Sequence, residues 1–417
     1  MHPRSPYAEY TDFAQLAEGY PSLAKHLVNN SINFKDPDAV RELTKCLLKR
    51  DFGLTVDLPE DRLCPTVPNR LNYVLWMQDL IDSTSGGPTD DYDPGRKVVG
   101  LDIGTGASCI YPLLACASRP GWHMYGSDID AASLRAARSN TALNADLIGG
   151  RITVLESTPD GPLFPPDIET LDFTMCNPPF YGSAADHAAS AAAKALPPSS
   201  ACTGSAAEMV YAGGGEVGFV ARIIEESWNR GGDTTWYSSM VGKLASLAPL
   251  VESVRARTGN YAVTEFRQGA TRRWGLAWCW GGLRPRGVGG VRGVGAPFPT
   301  VVAVGGRGSV GRVVGVVEGL GVGWVGDGGK EGGPVEGEGD RVVGRGEARG
   351  DVWSRKARRR KGRGEMEVEG GEVKMGFRVE VVGGEVVVRW TRGTDQVLFE
   401  SFCGMLRRCV KEAPQAA

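Results

Sequence analysis

Short apolar runs alternate with amphipathic segments from residue 96 to residue 280 of this 417-residue chain. Short apolar runs bounded by turn residues are typical of buried strands, and the segments between them have the length and periodicity of helices. Their regular alternation predicts an α/β fold with a doubly wound, mainly parallel sheet. The predicted strands are Lys97–Ile103, His123–Asp128, Ile152–Leu155, Leu171–Cys176, Thr234–Val241 and Ala262–Arg267, and the predicted helices are Cys109–Ala117, Ala131–Asn144, Glu216–Asn229 and Leu244–Arg257.

The segments on either side of this region differ from it in composition. Residues 1–95 mix aromatic, basic and helix-capping residues and end in a polar turn cluster at 83–88, which predicts a separate, helical N-terminal region. At residue 281 the composition changes abruptly, because 25 of the 59 glycines lie between residues 281 and 350. This glycine-rich stretch predicts a flexible, low-complexity linker over residues 281–365. An alternative is that part of residues 281–350 is GC-rich intron read through as coding sequence, which sequencing of the transcript distinguishes.

Regular structure is predicted again near the C-terminal end. Two apolar runs, 379–382 and 386–390, flank Gly383-Gly384 and predict a hairpin with a two-residue turn. Residues 397–410 predict a helix that begins just after Asp395. Residues 366–417 are therefore expected to form a small α+β module. The basic run at 355–361 fits a nuclear localisation signal, a phosphate-contacting tail or a solvated charge run.

Bulk composition restricts the possible partners only weakly. The 47 Lys and Arg residues nearly balance 49 Asp and Glu residues, so the net charge neither favours nor excludes a nucleic acid. Nine cysteines without a C-x-x-C pair, and only four scattered histidines, predict reduced thiols in an intracellular protein and no metal site. The first residues lack an apolar signal segment, and no stretch approaches the roughly 20 apolar residues of a membrane helix. We therefore expect a soluble protein with no membrane partner.

A candidate cofactor site lies at the end of the first predicted strand of the α/β region. This strand contains Asp102 and runs into the turn Gly104-Thr105-Gly106, followed by Ser108. Glycine lacks a β-carbon, so the backbone of such a turn can approach an adenosyl cofactor closely. The next strand ends at Asp128, whose carboxylate can accept hydrogen bonds from both ribose hydroxyls, whereas Asp130 fits the N-cap of the following helix better. These features alone also fit a nicotinamide cofactor.

The fourth predicted strand ends in the most informative tetrapeptide, Asn177-Pro178-Pro179-Phe180. The exocyclic amine of adenine is a poor nucleophile because its lone pair is delocalised into the ring. We expect the Asn177 side-chain oxygen and the Pro178 carbonyl to accept its two hydrogens, and Pro179 to stiffen the turn. Phe180 offers a face on which a flipped-out adenine can stack.

This tetrapeptide also fits a simple tight turn, but its position favours a catalytic role. It follows the glycine turn and the acidic strand end in chain order, which predicts methylation of a planar nitrogen with S-adenosyl-L-methionine as the cofactor. The tetrapeptide does not name the substrate, because DNA adenine, RNA adenine and the glutamine side-chain amide all fit it.

Residues 1 to 280 resemble the U6 small nuclear RNA adenine N6-methyltransferases, the methyltransferase-like 16 family, which is related to a bacterial 23S ribosomal RNA adenine N6-methyltransferase. The matching segments are Tyr20-Pro21, Asn33–Pro37, Asp51–Leu54, Pro65–Pro68, Arg70–Tyr73, Asp102–Pro112, Cys176–Phe180, Ser246–Pro249 and Trp274–Trp278. The C-terminal end, from Trp390 through Phe399–Gly404, resembles that of fungal members. The resemblance implies a class I Rossmann-like methyltransferase domain at 96–280 and a U6 small nuclear RNA stem-loop as partner. It implies the nucleus as location, with the cytoplasm as a second compartment.

The same resemblance implies roles for residues outside the motifs. It places an RNA-binding surface with Lys35 in the N-terminal region and assigns Arg70 to the cofactor. Arg272 and Arg273 are expected on the RNA-binding surface, with Arg272 substituting for a basic position occupied here by Ala270. The segment 181–200, which is rich in arginine in animal members, is rich in alanine here, so fewer phosphate contacts are expected from it.

We therefore predict an RNA N6-adenosine methyltransferase that modifies an internal adenosine of U6 small nuclear RNA. One alternative is a ribosomal RNA adenine or protein glutamine methyltransferase, although the blocks Asn33–Pro37 and Pro65–Tyr73 favour RNA over protein. Another is an RNA-binding scaffold without turnover. The presence of Asp102, Asp128 and Asn177 together argues against a scaffold, because a scaffold needs neither the cofactor carboxylates nor the amine acceptor.

Overall fold

The computed structural model describes residues 1–9, 11–87, 90–186, 204–269, 271–306, 309–326, 341–363 and 371–411. The chain divides into two compact units. The first comprises Met1–Gln78, Asp93–Trp280 and Gly289–Ala296, and the second comprises Asp79–Tyr92, Gly281–Val288 and Pro297–Ala417.

The strands of the first unit form a two-stranded ribbon and one large sheet. The ribbon is antiparallel, and the sheet has seven strands. In chain order the strands are β1 (Leu27–Val28), β2 (Ser31–Ile32), β3 (Val98–Ile103), β4 (Trp122–Asp128), β5 (Ile152–Glu156), β6 (Leu171–Cys176), β7 (Thr234–Val241), β8 (Tyr261–Gln268) and β9 (Thr271–Trp278).

The large sheet has the order β5-β4-β3-β6-β7-β9-β8. Strands β5, β4, β3, β6 and β7 run parallel to one another, and β9 is antiparallel to both β7 and β8. The doubly wound α/β fold is thus confirmed, with strand ends close to those predicted. Strand β9 was not predicted, because its polar start, Thr271-Arg272-Arg273, interrupts the apolar pattern. The register aligns Ile103 with Ser127 and with Cys176, so β3, β4 and β6 end at the same edge of the sheet.

The helices of the first unit include those that cover the large sheet. The inner face of α9 and α10 packs on sheet residues such as Tyr237 and Trp278 in one apolar core. The helices are α1 (Phe13–Gly19), α2 (Pro21–Ala24), α3 (Pro37–Phe52), α4 (Val67–Ser83), α5 (Ile110–Ser118), α6 (Ala131–Leu143), α7 (Ala145–Ile148), α8 (Ala206–Met209), α9 (Gly215–Arg230) and α10 (Leu244–Arg255), with a 3₁₀ turn at Gly231–Asp233. Of these, α4 begins in the first unit and ends in the second.

The second unit is built on a five-stranded antiparallel sheet with the order β10-β14-β13-β12-β11. Its strands are β10 (Val301–Gly306), β11 (Gly323–Gly326), β12 (Arg341–Ala348), β13 (Met375–Val382) and β14 (Glu385–Arg392), and its helices are α11 (Val310–Gly319), α12 (Arg355–Gly362) and α13 (Gln396–Lys411). The predicted hairpin turn is present, with positive φ angles at Gly383 and Gly384. Asp395 caps α13 by accepting the Leu398 N–H at 2.9 Å.

The described part of residues 281–365 differs from the linker that its composition predicts. Strands β10, β11 and β12 and helix α11 lie within it, and Val304, Val313 and Val317 are buried in the core of the second unit. The reason is periodicity, because Val310, Val313 and Val317 recur at helical spacing and form one apolar stripe despite the intervening glycines. The α+β module therefore begins well before residue 366, and it also takes in residues 79–92 of the predicted N-terminal region.

Composition predicts reduced thiols, no metal site and no membrane helix. The cysteines within the described ranges are free thiols, and all of them except Cys409 are buried. The described residues contain no group of three or more His, Cys, Asp or Glu side chains that could hold a metal ion. None of the helices in the described ranges has both the length and the hydropathy to cross a membrane.

Candidate active site

A cleft opens at the edge of the large sheet where β3, β4 and β6 end. It is lined by side chains from each of these strand ends and from the segments around residues 63–70 and 208–222. The turn after β3 forms its floor. Gly104 and Gly106 have φ angles of +74° and +64°, which explains why glycine is needed at both positions. The backbone N–H groups of Gly104 and Thr105 both donate to the Ser127 carbonyl at 2.9 Å, which fixes the turn against β4. Thr105 and Ser108 are buried and line the cleft.

Asp128 stands at the end of β4 and lines the cleft, as predicted. Its two carboxylate oxygens accept the N–H groups of Gly106 at 2.8 Å and Asp130 at 2.9 Å. Each carboxylate oxygen has a second lone pair, so both can still accept from a ligand hydroxyl. Burial raises the pKa of Asp128, and the backbone donors oppose that change. Asp130 is the N-cap of α6, as predicted, since it accepts the Ser133 N–H at 2.8 Å.

Asp102 is fully buried on β3. Neither carboxylate oxygen has a donor in good hydrogen-bond geometry in the described part of the chain. Burial raises its pKa to about 7, and the Thr105 hydroxyl opposes this rise. Burial and, to a smaller extent, the negative charge of Asp102 raise the pKa of Tyr111 and Cys176, which line the cleft. Asp102 directly precedes Ile103 and Gly104, which line the cleft, although it is not itself among the described lining residues. A buried carboxylate without donors is costly, so this position favours a cationic or hydrogen-bond-donating ligand.

Arg70 is buried on α4 and also lines the cleft. Its Nη1 donates to the Tyr111 hydroxyl at 2.8 Å, and its guanidinium lies 5.5 Å from the centroid of the Tyr111 ring. Its Nε has no partner among the described residues. Arg70 is therefore held at the cleft through Tyr111, and its buried Nε–H is left without an acceptor among the described residues. Its role toward the cofactor stays a prediction.

The predicted catalytic tetrapeptide directly follows β6. Asn177 and Pro179 line the cleft, and Pro178 is buried. The side-chain oxygen of Asn177, Oδ1, is buried and has no hydrogen-bond partner among the described residues. Most buried polar atoms in proteins are hydrogen-bonded. This oxygen can therefore accept a hydrogen bond from a ligand that binds in the cleft.

Phe180 is the last residue of the tetrapeptide, and its ring contacts a residue that is predicted to bind RNA. The Arg273 guanidinium lies 5.5 Å from the centroid of the Phe180 ring. Arg272, one residue earlier on β9, is 52% exposed and lies 3.6 Å from Glu265 on the neighbouring strand. Lys35 is exposed in the loop before α3, and no described contact joins it to the cleft. The structure thus brings Arg273 to the predicted catalytic tetrapeptide, and no described contact brings Lys35 there.

Several cleft residues were missed by the sequence motifs. Ile129 is 48% exposed although it is apolar, and it stands next to Asp128, where it suits the flat face of an adenine ring. Glu208 lines the cleft and accepts the Leu63 N–H at 3.2 Å, and burial raises its pKa. Ile129 was visible in sequence as an apolar residue between two aspartates. Glu208 carried no local signal, because its role depends on a contact 145 residues away.

Two predicted departures from the family pattern lie outside the described residues. These are the alanine-rich segment from residue 187 onward and the substitution at Ala270. Their effect on phosphate contacts stays a prediction.

The residues of the cleft fit an adenosyl cofactor with a cationic methionine part. The positive-φ glycine turn admits close backbone approach, Asp128 keeps two acceptor positions, and Ile129 supplies an apolar surface. The unpartnered carboxylate of Asp102 suits a positive charge. This sheet order, with the glycine turn after β3 and the acidic end of β4, defines a class I methyltransferase.

Comparison with known proteins identifies the family within that class. Residues 1–281 match the family described as RNA methyltransferase, and the chain belongs to this family. It is 45% identical over 290 residues to the RNA N(6)-adenosine-methyltransferase mettl16 of Xenopus laevis. The aligned residues make up 67% of this chain and 51% of that protein. It is 41% identical over 270 residues to the U6 small nuclear RNA (adenine-(43)-N(6))-methyltransferase of Schizosaccharomyces pombe, covering 64% of this chain and 66% of that protein. The chain spans about half the length of the animal relative.

Solved structures agree with this assignment. The hMettl16 catalytic domain in complex with a MAT2A 3'UTR hairpin superposes with a TM-score of 0.60 at 40% identity, covering 72% of this chain and 98% of that one. The N-terminal domain of human METTL16 in complex with SAH gives a TM-score of 0.55 at 38% identity, covering 67% of this chain and 98% of that one. The family resemblance and fold predicted from the motifs are confirmed.

Proposed function

We propose that this chain is an S-adenosyl-L-methionine-dependent RNA adenine N6-methyltransferase and that a stem-loop of U6 small nuclear RNA is its substrate. The observation that carries this proposal is the buried, unpartnered Asn177 Oδ1 at the edge of the cleft. An amide oxygen in this position suits one hydrogen of an exocyclic amine. The names of the relatives, which include N6-adenosine and U6 RNA methyltransferases, support the choice of adenine in RNA.

Four side chains and the glycine turn would hold the cofactor. When bound, S-adenosyl-L-methionine supplies an electrophilic methyl group. Asp128 would accept the ribose hydroxyls, and the turn 104–106 would let the backbone approach the adenosyl group. Asp102 would balance the positive charge, and Arg70 would donate to the carboxylate end. Ile129 would cover the adenine ring of the cofactor.

The catalytic segment would orient the attacking nitrogen. The Asn177 side chain and the Pro178 carbonyl would accept the two amine hydrogens, which would make the nitrogen pyramidal and direct its lone pair out of the plane of the ring. Phe180 stacks on the flipped-out base. The methylated amine cation is strongly acidic and loses its proton to water readily, so no histidine or carboxylate is needed as a general base.

The RNA surface proposed for this reaction comprises Lys35, Arg272 and Arg273. Phosphate contacts by such residues position the RNA without reading its sequence. Location in the nucleus is part of the proposal, because the U6 small nuclear RNA relatives act on a nuclear RNA class and the basic helix at 355–362 fits a localisation signal. All proposed cofactor and amine contacts lie before residue 281.

The test is methylation of a defined RNA by the full chain. The protein is incubated with methyl-labelled cofactor and a U6-derived stem-loop, and the RNA is digested to nucleosides. Label in N6-methyladenosine at one internal adenosine is expected, and none is expected when that adenosine is replaced by purine riboside, which lacks the exocyclic amine. Label in a protein fraction, or only in other nucleosides, would contradict the proposal.

A further inference from the structure

A buried carboxylate outside the cleft connects two segments that surround Phe180. Glu216 is the second residue of α9 and is 3% exposed. Its Oε2 accepts the backbone N–H of Gly242 at 2.6 Å, and its Oε1 accepts the Ser246 hydroxyl at 2.5 Å. A buried carboxylate needs donors of this kind to offset the loss of water. Glu216 therefore fixes the loop between β7 and α10 to the start of α9.

Gly242 lies between this carboxylate and the Phe180 ring. A β-carbon at Gly242 would stand 2.6 Å from Cδ1 of Phe180 and 3.0 Å from Oε2 of Glu216. Such a separation from the ring is shorter than a van der Waals contact permits, so only glycine lets the loop pack this closely against it. The position of the Phe180 ring consequently depends on where Glu216 holds Gly242.

The turn before Glu216 contacts the backbone of the same catalytic segment. Gly215 has a φ angle of +62°, and a β-carbon there would lie 3.0 Å from the Gly182 nitrogen and 3.1 Å from the Phe180 carbonyl oxygen. The Tyr211 N–H donates to the Tyr181 carbonyl at 2.8 Å, and the Gly215 N–H donates to the Tyr211 carbonyl at 2.9 Å. Residues 211–215 thus hold the backbone of 180–182, Gly242 contacts the ring of Phe180, and Glu216 joins the two.

We infer that Glu216 is a positioning residue that sets the Phe180 ring, and with it the target adenine, in line for methyl transfer. The inference rests on the proposed function, because stacking of the adenine on Phe180 is part of that function. Glu216 is not among the described residues that line the cofactor cleft. Its removal therefore acts on placement of the base and leaves the cofactor contacts in place. Misplacement of a reacting group by about 1 Å costs on the order of 100-fold in rate.

A matched control for Glu216 is available on the same helix. Ser227 of α9 is fully buried, and its hydroxyl accepts the indole N–H groups of Trp278 at 3.0 Å and Trp280 at 3.2 Å. Replacing it by alanine also leaves two donors without their acceptor, but none of its described contacts reaches residues 180–182. Any effect that Ser227→Ala shares with Glu216→Ala is due to general destabilisation.

The first measurement is single-turnover methylation of the stem-loop at saturating RNA and cofactor, together with the cofactor Kd. Glu216→Ala is expected to slow methylation about 10- to 100-fold with an unchanged cofactor Kd. Glu216→Gln should stay close to the wild-type rate, because its amide oxygen can accept the Gly242 N–H while its NH₂ donates to Ser246. Ser227→Ala should also stay close to it. Equal slowing by the alanine variants of Glu216 and Ser227 would overturn the inference.

A second measurement is independent of catalysis. Hydrogen exchange of a peptide spanning residues 180–182, followed without RNA or cofactor, should be faster in Glu216→Ala than in wild type or Ser227→Ala. Unchanged exchange would overturn the inference even if methylation were lost. If wild-type protein methylates no adenosine, the proposed function fails, whereas faster exchange still supports the role of Glu216 in holding this segment.

Gly242→Ala tests the same relationship if Glu216→Ala does not fold. The added methyl group would displace the Phe180 ring while Ser246 still binds Glu216, so methylation should slow as in Glu216→Ala. Gly259→Ala is its control, because a β-carbon there meets nothing within 4 Å. A wild-type rate in Gly242→Ala would show that the ring position does not govern methyl transfer and would refute the inference.

Discussion

The guanidinium of Arg273 lies over the aromatic ring of Phe180, 5.5 Å from the ring centroid. This places a cation from β9 at the segment that follows β6, although the two residues are more than 90 positions apart in the chain. A planar guanidinium can both stack on an aromatic ring and bind a phosphate. The ring that we propose stacks on the base and the charge that we propose contacts RNA therefore lie side by side.

Replacing Arg273 by alanine is expected to weaken RNA binding and to reduce its salt dependence. The slope of log K against log salt should fall by about 0.7 to 0.9, the value for one lost phosphate contact. Arg273→Lys should keep the slope and lose the planar contact with Phe180. Fluorescence polarisation of a labelled stem-loop at several salt concentrations measures both. Arg255→Ala is the control, since Arg255 pairs with Glu252 on the surface of α10; an unchanged slope for Arg273→Ala would remove Arg273 from the RNA surface.

The sequence is enough to place the glycine turn and the tetrapeptide 177–180 at one edge of the sheet, because both patterns are local. Gly104 and Asn177 directly follow predicted strands and Asp128 ends one. Because parallel strands end at one edge of a sheet, the proximity of these residues could be derived. The link between Phe180 and Arg273 could not, because it depends on the reversal of β9, a strand that was not predicted. Glu216 was one of many acidic residues on predicted helices, and only packing shows that its side chain is buried.

The second unit shows a different limit of sequence analysis. Average composition over residues 281–350 is dominated by glycine, which conceals the helical spacing of Val310, Val313 and Val317. The contribution of residues 79–92 to this unit could not be predicted either. No local pattern indicates that Asp90 contacts Arg378, some 290 residues away in the chain. Asp90 in that segment is the acceptor for arginines on β13 and β14, which were assigned to a separate module.

Asp90 is expected to be essential for the stability of the second unit. Its carboxylate, only 9% exposed, lies 2.8 Å from Arg378, 3.4 Å from Arg286 and 3.4 Å from Arg389, whose guanidinium is fully buried. Removing one partner of a buried ionic cluster costs about 3–5 kcal/mol. Asp90→Ala should therefore lower the free energy of unfolding of this unit by that amount, measured by hydrogen exchange of peptides from 375–411. Glu385→Gln, an exposed change on β14, is the control, and equal protection in both variants would contradict this role.

The buried Asp102 is expected to make the stability of the cofactor-free protein depend on pH. Burial raises its pKa from the ordinary 3.8 to about 7, so between about pH 4 and pH 7 the folded chain retains a proton that the unfolded chain releases. Stability falls with rising pH wherever the folded state binds more protons. At about 1.4 kcal/mol per pH unit, the free energy of unfolding should fall by up to roughly 4 kcal/mol as the pH rises from about 4 to about 7.

Urea unfolding at pH 5 and pH 8 measures this dependence. Asp102→Asn cannot ionise, so its free energy of unfolding should change less between the two pH values than that of wild type. The comparison isolates Asp102 from other titrating groups, which are common to both proteins. A wild-type pH dependence in Asp102→Asn would show that the carboxylate is not the source.

Asp128→Ala is expected to weaken cofactor binding while the chain still folds. Charge-assisted hydrogen bonds to the ribose hydroxyls contribute about 1.5–3 kcal/mol each. The substitution also leaves the Gly106 N–H without its acceptor, so the glycine turn should loosen and the Tm should fall modestly. Asp128→Asn keeps one acceptor oxygen and should lose less affinity. Calorimetric titration with the cofactor measures this order, and an unchanged Kd for Asp128→Ala would move the ribose contact elsewhere, with Asp130 the next candidate.

Asn177→Ala should abolish most turnover without impairing binding. Its Oδ1 is one of only two acceptors proposed for the amine hydrogens, and the substitution leaves the glycine turn, Asp128 and Phe180 in place. Loss of one preorganised contact of this kind typically costs about 10²–10³ in rate, or about 2.7–4 kcal/mol. The interaction strengthens chiefly as the nitrogen becomes tetrahedral, so the Kd values for RNA and cofactor should change little.

Phe180→Ala separates this mechanism from a simple loss of structure at the tetrapeptide. Stacking acts before the reaction as well as during it, so this variant should lose RNA affinity and rate together, by about 1–3 kcal/mol for the lost base stack. Single-turnover methylation and equilibrium binding of one U6-derived stem-loop by both variants distinguish the two patterns. Near-normal methylation by Asn177→Ala would refute the proposed orientation of the amine, because the unpartnered Asn177 oxygen would then have no part in methyl transfer.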